Sequence, residues 1–223
     1  MASPAPLPRI PPYRIVTPRL VMRCWHPADA PLLKAAIDAN IDHLVPWMPW
    51  IANEPESLPK KIQRLRGYRA SFDRDEDYTY GLLNPSESQV IGGTGLHTRR
   101  GPNALEIGYW IHRDMVRQGL ATELSGVLTR VTFAFTDRDR VEIHCDPRNT
   151  ASAGIPAKLG FKLESTRLRN FREPDGSWRD SHVWVLFRHE AENAALGTVP
   201  FVAYDAAGQR LSPAKAGETH TAG

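Results

Sequence analysis

LEIGYWIHRDMVRQGLATE (105–123) decides how this chain reads. A strand ends near His112, a short loop follows, and a helix opens around Gly119. Leu120, Leu124, Val127, Leu128, Val131 and Phe135 recur at helical spacing, which predicts a helix over 119–136. The first N–H groups of a helix have no intrahelical acceptor and carry partial positive charge, so an anion fits there. Gly119 lets backbone approach a ligand with no Cβ in the way, Arg117 adds a cation, and Thr122 offers a hydroxyl. The same residues also fit a plain tight connection with a solvated arginine, since lone glycine loops are common. No Gly-Lys-Ser/Thr ending is present, which excludes a Walker loop, and IGGTGL (91–96) lacks the third glycine of a dinucleotide fingerprint.

Working outward, RLVMRCW (19–25) reads as a strand and PLLKAAIDAN (31–40) as a helix that Asp29 caps. Two prolines break the apolar stretch DHLVPWMPWI (42–51). Ser57 and Pro59 open a helix reaching about Phe72. YTYGLL (78–83), QVIGGTGLH (89–97) and ALEIGYWIH (104–112) read as an antiparallel meander. VEIHCD (141–146) is a strand, Asn149 or Thr150 caps a helix that stops at Gly160, and 162–172 and 180–188 are strands joined by a turn at PDGS. The order β-α-α-β-β-β-α-β-α-β-β predicts an α/β (α+β) sandwich around one mixed sheet of about seven strands. Residues 1–13, with five prolines, are expected as an extended arm, 14–189 as the domain, and 190–223 as a partly disordered extension.

Apolar residues make up 41% of the 223 and charged residues 24%, as in an ordinary globular chain. No apolar run reaches the ~18 residues of a membrane span, and the N-terminus does not read as a secretory signal, so a cytoplasmic protein without a membrane partner is expected. Two distant cysteines, Cys24 and Cys145, suggest neither a disulfide framework nor paired metal ligands, and no metal is expected. A net charge of +3 with mixed signs is weak support for direct nucleic-acid binding, yet suits a small polyanion.

With these residues in place, the chain resembles the GNAT superfamily of N-acetyltransferases, in its RimJ/RimL-type branch that acetylates ribosomal-protein N-termini. The resemblance covers roughly residues 14–189. It is carried by 105–123, by NTASAGIPAKLGF (149–161) and by RLRNFREPDGSWRDSHVWVL (167–186), with PWMPW (46–50) as a weaker feature. It implies the GNAT fold, acetyl-CoA as co-substrate and an amine acceptor, and relatives that are often dimers. The family's loop motif, Gln/Arg-x-x-Gly-x-Gly/Ala, is met by Gly119 and Ala121, but Val116 stands at its first position. By resemblance, the N–H groups of Arg117, Gln118, Gly119, Leu120, Ala121 and Thr122 hold the pyrophosphate. Gly108, Tyr109, Trp110 and Ile111 pair with the pantetheine arm. Asn149 touches the pantetheine amide or caps its helix, and Lys158 reaches the phosphates or is solvated.

Acetyl transfer needs a neutral amine, a donor for the developing oxyanion and a proton for the departing thiolate. Glu106, on one strand face with Gly108 and Trp110, is the candidate base, against a structural carboxylate paired with Arg or Lys. His144 is its rival, against a structural histidine. The resemblance places the oxyanion donor at the N–H of Tyr109 or Trp110. Many family members carry an acidic tyrosine seven residues after the motif asparagine; here that position is Pro156. In the RimL-like branch Ser152 takes the role, against a first-turn serine bonded to backbone. Trp47, Trp50, Trp110, Tyr78 and Tyr80 wall an acceptor groove or pack the core, DRDEDY (73–78) attracts a cationic amine or is solvated, and the 171–178 hairpin borders the acceptor. A protein N-terminus, a small-molecule amine and a silent acyl-CoA-binding module are the three functional readings.

Overall fold

The computed structural model describes residues 9–173 and 175–213. Its strands are β1 (Arg14–Val16), β2 (Val21–Cys24), β3 (Tyr78–Leu83), β4 (Val90–His97), β5 (Ala104–Ile111), β6 (Arg140–Cys145), β7 (Lys162–Arg172), β8 (Trp178–Phe187), β9 (Val202–Tyr204) and β10 (Arg210–Leu211). The helices are α1 (Ala30–Asp38), α2 (Ile41–Leu44), α3 (Leu58–Asp73), α4 (Leu120–Phe135) and α5 (Thr150–Lys158). One mixed sheet runs β10-β9-β1-β2-β3-β4-β5-β6-β8-β7. It has ten strands rather than about seven, because short β1, β9 and β10 extend one edge.

β5 and β6 are the parallel pair, and α4 is the crossover that parallel pairing requires. The stripe read from sequence is buried: Leu124, Leu128 and Val131 are inaccessible and pack with Leu105, Ile107 and Ile143. Each such side chain contributes roughly 1.5–3 kcal/mol. Met22 and Leu82 join this layer, while their neighbours Val21 and Leu83 point oppositely, to a second layer with Leu33 and Ile37 of α1 and Leu65 of α3. Asp29 precedes α1 without capping it; its carboxylate instead takes both Arg23 Nη atoms at 2.7 and 2.8 Å and the His26 N–H. The chain breaks at the two prolines as expected, with α2 ending at Leu44 and a 3-10 turn at Pro49–Asn53.

The boundary expected at 189/190 is not where packing ends. Leu196 and Ala203 are buried in the main layer, and β9 pairs antiparallel with β1. Part of the extension thus covers an edge that would otherwise be open. Residues 214–223 and 1–8 lie outside the described residues. Of the expected arm, Arg9 bonds Asp137 at 2.8 Å, and Pro12 O accepts from Tyr80 Oη at 2.8 Å. Among the described residues no helix is long and apolar enough to cross a membrane.

Gly126, buried in mid-α4, lies against the Leu196 carbonyl, so that an added Cβ would collide with backbone. Gly126→Ala is expected to destabilise the fold by about 1–3 kcal/mol despite alanine's helix preference. Urea unfolding measures the loss, and limited proteolysis should show earlier cleavage within 190–213.

Candidate active site

Everything at the site follows from where β5 and β6 part. They pair from Ala104↔Arg140 to Ile107↔Ile143 only. Beyond that β6 stays with β8 as far as Cys145, and β5 stays with β4 as far as Ile111. His112 N–H donates to Ile91 O at 2.9 Å, which fixes the alternation along β5. By that alternation, N–H and C=O of Tyr109 and Ile111 face the gap, whereas those of Gly108 and Trp110 face β4. Of the two oxyanion donors expected, only the Tyr109 N–H therefore opens to the gap.

The entrance of α5 lies across that gap. Asn149 caps it, its Oδ1 accepting the Ser152 N–H at 3.0 Å. Ser152 Oγ and Tyr109 Oη form a hydrogen bond of 3.0 Å. Burial pushes the Tyr109 phenol up, so it stays protonated at neutral pH. Both the expected cap and a hydroxyl pair are present, and the partner hydroxyl comes from β5, where sequence reading did not look for one. Lys158 is exposed in the last turn of α5, away from this group.

At the α4 entrance, Arg117 (φ 61°) and Gly119 (φ 77°) are both left-handed, separated by one residue. Left-handed residues in such alternation turn successive N–H groups toward one concavity. Among the described residues the N–H groups of Arg117 through Thr122 have no protein acceptor, the first helical bond being Glu123 N to Gly119 O at 2.9 Å. Residues 116–119 are exposed. Arg19 braces the turn, donating to Gln118 O at 2.9 Å and to Glu123 at 2.7 Å, while Thr17 bonds the same buried carboxylate at 2.7 Å. Arg19 adds a second cation beside Arg117, and its distance of about a hundred residues in sequence hid it.

Glu106 does not have the surroundings of a base. It is 3% exposed, and both its oxygens are taken by Arg99 and Arg100. Burial pushes this carboxyl up, but the Arg99 hydrogen bonds and charge, with that of Arg100, outweigh it and bring it down to about 2. A carboxylate held so low is a poor proton acceptor near neutrality, so the expected base is corrected to an ion-pair anchor. His144 is also committed: Nδ1 meets Arg100 at 3.0 Å and Nε2 meets Glu142 at 2.5 Å.

A cavity of about 940 Å³ adjoins the parting, lined among others by Glu106, Gly108, Tyr109, Trp110, Asn149 and Ser152. The α4 turn and Lys158 are not in its lining. Its floor explains the glycines of IGGTGL. Gly81 and Gly93 are cross-strand partners, as are Gly95 and Gly108. Three rings pack against them: Trp25 on Gly81, Trp110 on Gly93, and His97 on Gly95 and Gly108. Trp47 and Trp50 line the cavity, with Trp25 and Tyr68 in addition, while Tyr78 and Tyr80 pack edge-on against Phe72 in the core. From the acidic run only Asp77 reaches the cavity; Asp73 and Glu76 pair with Arg69 and Arg74. Phe171 of the closing hairpin lines the rim, and buried Arg179 ties that hairpin to the carbonyls of Pro46 and Trp47 at 3.1 and 2.9 Å. Among the described residues no group of His, Cys, Asp and Glu is placed to hold a metal.

The acetyltransferase (GNAT) domain family matches residues 19–162, and the chain belongs to that family. It is an acyl-CoA-dependent N-acetyltransferase. It is 29% identical over 180 residues to the [ribosomal protein uS5]-alanine N-acetyltransferase of Escherichia coli, covering 79% of this chain and 92% of that one. It is 27% identical over 184 residues to a putative ribosomal N-acetyltransferase of Bacillus subtilis, covering 79% and 96%. In fold it is similar to RimJ of Mycobacterium smegmatis solved with CoA-disulfide (TM-score 0.70, 23% identity, 82% and 90% covered). RimL, a ribosomal L7/L12 α-N-protein acetyltransferase solved with coenzyme A, gives a TM-score of 0.69 at 19% identity, with 77% and 96% covered.

Since the folded pKa of Glu106 is below its ordinary 4.5, its stabilisation is complete above that value and is lost as pH falls toward 2. Glu106→Gln is expected to cost on the order of 2–3 kcal/mol at pH 7 and much less at pH 3. Urea unfolding of both proteins at the two pH values measures the difference.

Proposed function

We propose that this N-acetyltransferase acetylates the N-terminal α-amine of a protein, by direct attack within a ternary complex. The observation that gives an acceptor its place is the cavity, which opens on the parted strands and holds an aromatic wall. Likeness to the uS5-alanine N-acetyltransferase across nearly all of that protein's length supports the same acceptor class.

The proposed seat of acetyl-CoA uses the groups left unpaired. N–H groups from Arg117 to Thr122, with Gln118, Gly119, Leu120 and Ala121 between them, receive the pyrophosphate, and Arg117 and Arg19 balance its charge. The pantetheine arm pairs with backbone of Tyr109 and Ile111, while Gly108 and Trp110 hold the strand to β4 and shape its other face. Asn149, already spent as a cap, shapes the α5 entrance. The Tyr109 N–H faces the oxygen on which charge develops, and the Ser152–Tyr109 hydroxyl pair supplies the proton that the leaving sulfur takes up. A thioester is already activated, so alignment of the two reactants supplies much of the remaining acceleration.

Thiol release over a panel of N-terminal peptides, polyamines and aminoglycosides tests the acceptor class. Peptides with a free α-amine are expected to be turned over and their Nα-acetylated forms not; turnover confined to small amines overturns the reading, and binding of acetyl-CoA without any turnover indicates a silent module.

Gly119 is left-handed, with only Arg19 Nη2, at 3.9 Å, near a Cβ added there. Gly119→Glu is expected to weaken acetyl-CoA binding at least about 100-fold in calorimetry, because a carboxylate would face the pyrophosphate. Gly119→Asn, which tolerates this backbone, is expected to cost far less.

A further inference from the structure

With Glu106 committed to two arginines and His144 to Arg100 and Glu142, the described base candidates are spent. The cavity contains another histidine. His97 ends β4, and its Nδ1 meets both oxygens of Asp77 at 2.9 and 3.0 Å. Both residues line the cavity. Among the described residues Nε2 has no hydrogen-bond partner. The ring's position is fixed from below. A Cβ on Gly95 would lie 2.6 Å from Nε2, and one on its partner Gly108 would lie 3.1 Å from it. The free nitrogen thus lies over Gly108, the first β5 residue past the last pairing with β6.

We propose that His97 is the general base, taking a proton from the acceptor ammonium through Nε2, with Asp77 as the positioning residue that holds the ring and its tautomer. This rests on the N-acetyltransferase reading above. Three features support it. First, the ring and the hydroxyl pair stand on opposite faces of β5. His97 faces the Trp110 side, because His97↔Glu106 and Gly95↔Gly108 are register partners, while Tyr109 points to the other side. Base and acid are thereby separated by the backbone that borders the gap. Second, Asp77 is a fixed anion. Burial pushes its carboxyl up, but the His97 hydrogen bond and charge outweigh this and hold it below the ordinary range. Third, the charges around the ring balance: Asp77 bonds it, and Glu106 on the facing strand pairs with Arg99 and Arg100, two cations to two carboxylates. The carboxylate that touches the imidazole does so at Nδ1, leaving Nε2 to the acceptor.

The step balances. His97 Nε2 takes one proton from the ammonium, and the freed lone pair forms the C–N bond at the thioester carbonyl carbon. The C–S bond breaks with its electron pair on sulfur, which takes a proton from the Ser152–Tyr109 pair. The second proton leaving the acceptor nitrogen passes to water, as does the His97 proton, and water returns one proton to the hydroxyl pair. One amide, one thiol and one proton result.

The test compares full-length wild type, His97→Gln and Asp77→Asn by thiol release and by calorimetry of acetyl-CoA binding. With a peptide α-amine at pH 7, His97→Gln is expected to lower kcat about 100-fold, and Asp77→Asn about 10-fold, with acetyl-CoA affinity within a factor of three. An α-amine ionises at roughly 7.7–8.0, so at pH 9.5 the peptide is already neutral and the His97→Gln deficit should shrink to a few-fold. Hydroxylamine, neutral at pH 7, should show that small deficit at once. A deficit equal at both pH values and for both acceptors makes His97 structural and overturns the assignment, as does full activity of His97→Gln. If wild type accepts small amines but no peptide, the acceptor class fails while the same pH comparison still decides the base. If it accepts no amine at all, both fall.

Discussion

Two strands that begin as neighbours and cease to be so after four residue pairs set the constraint on which the site depends. Each is held by its other partner, β5 by β4 and β6 by β8, so the backbone between them must separate rather than fray. Separation leaves the Tyr109 and Ile111 peptide groups without strand partners in mid-sheet, where such groups otherwise pair. A ligand with amides of its own is the natural complement. The α5 entrance and the Tyr109–Ser152 bond keep the gap propped on one side.

The glycines of β3, β4 and β5 serve the other side. Glycine weakens a strand, yet five of them stand in these three neighbours, Gly81, Gly92, Gly93, Gly95 and Gly108, all at positions that face rings or backbone closely. What they provide is depth. Trp25, Trp110 and His97 sink to the level of the sheet backbone instead of standing a side chain above it, and the cavity gains that volume. The cost in strand preference is offset by aromatic burial against the same positions.

Much of this was legible in local sequence. The α4 stripe, the Asn149 cap, the proline break and the turn at Gly119 each follow from a few neighbouring residues with one physical reading. What was not legible depends on distant partners. Arg19 reaches Gln118, Asp77 reaches His97, and Tyr109 reaches Ser152, pairings set by sheet register rather than by spacing. The glycine cluster was read as a strand and a failed nucleotide motif, since the rings that use it come from just past β2, from β5 and from the end of β4 itself. Asp29 misled because it occupies a cap position, yet Arg23, six residues earlier on β2, claims its carboxylate.

Glu106 shows how electrostatics reassigns a role that position alone suggests. It stands on the central strand, beside the gap, at 3% exposure. Buried alone, such a carboxyl would rise toward neutral pH and make a serviceable base. Arg99 and Arg100 remove that option by holding it ionised, because proton affinity falls as the anion is stabilised. The same pairing leaves the neighbouring His97 ring facing a neutralised carboxylate rather than a second free one.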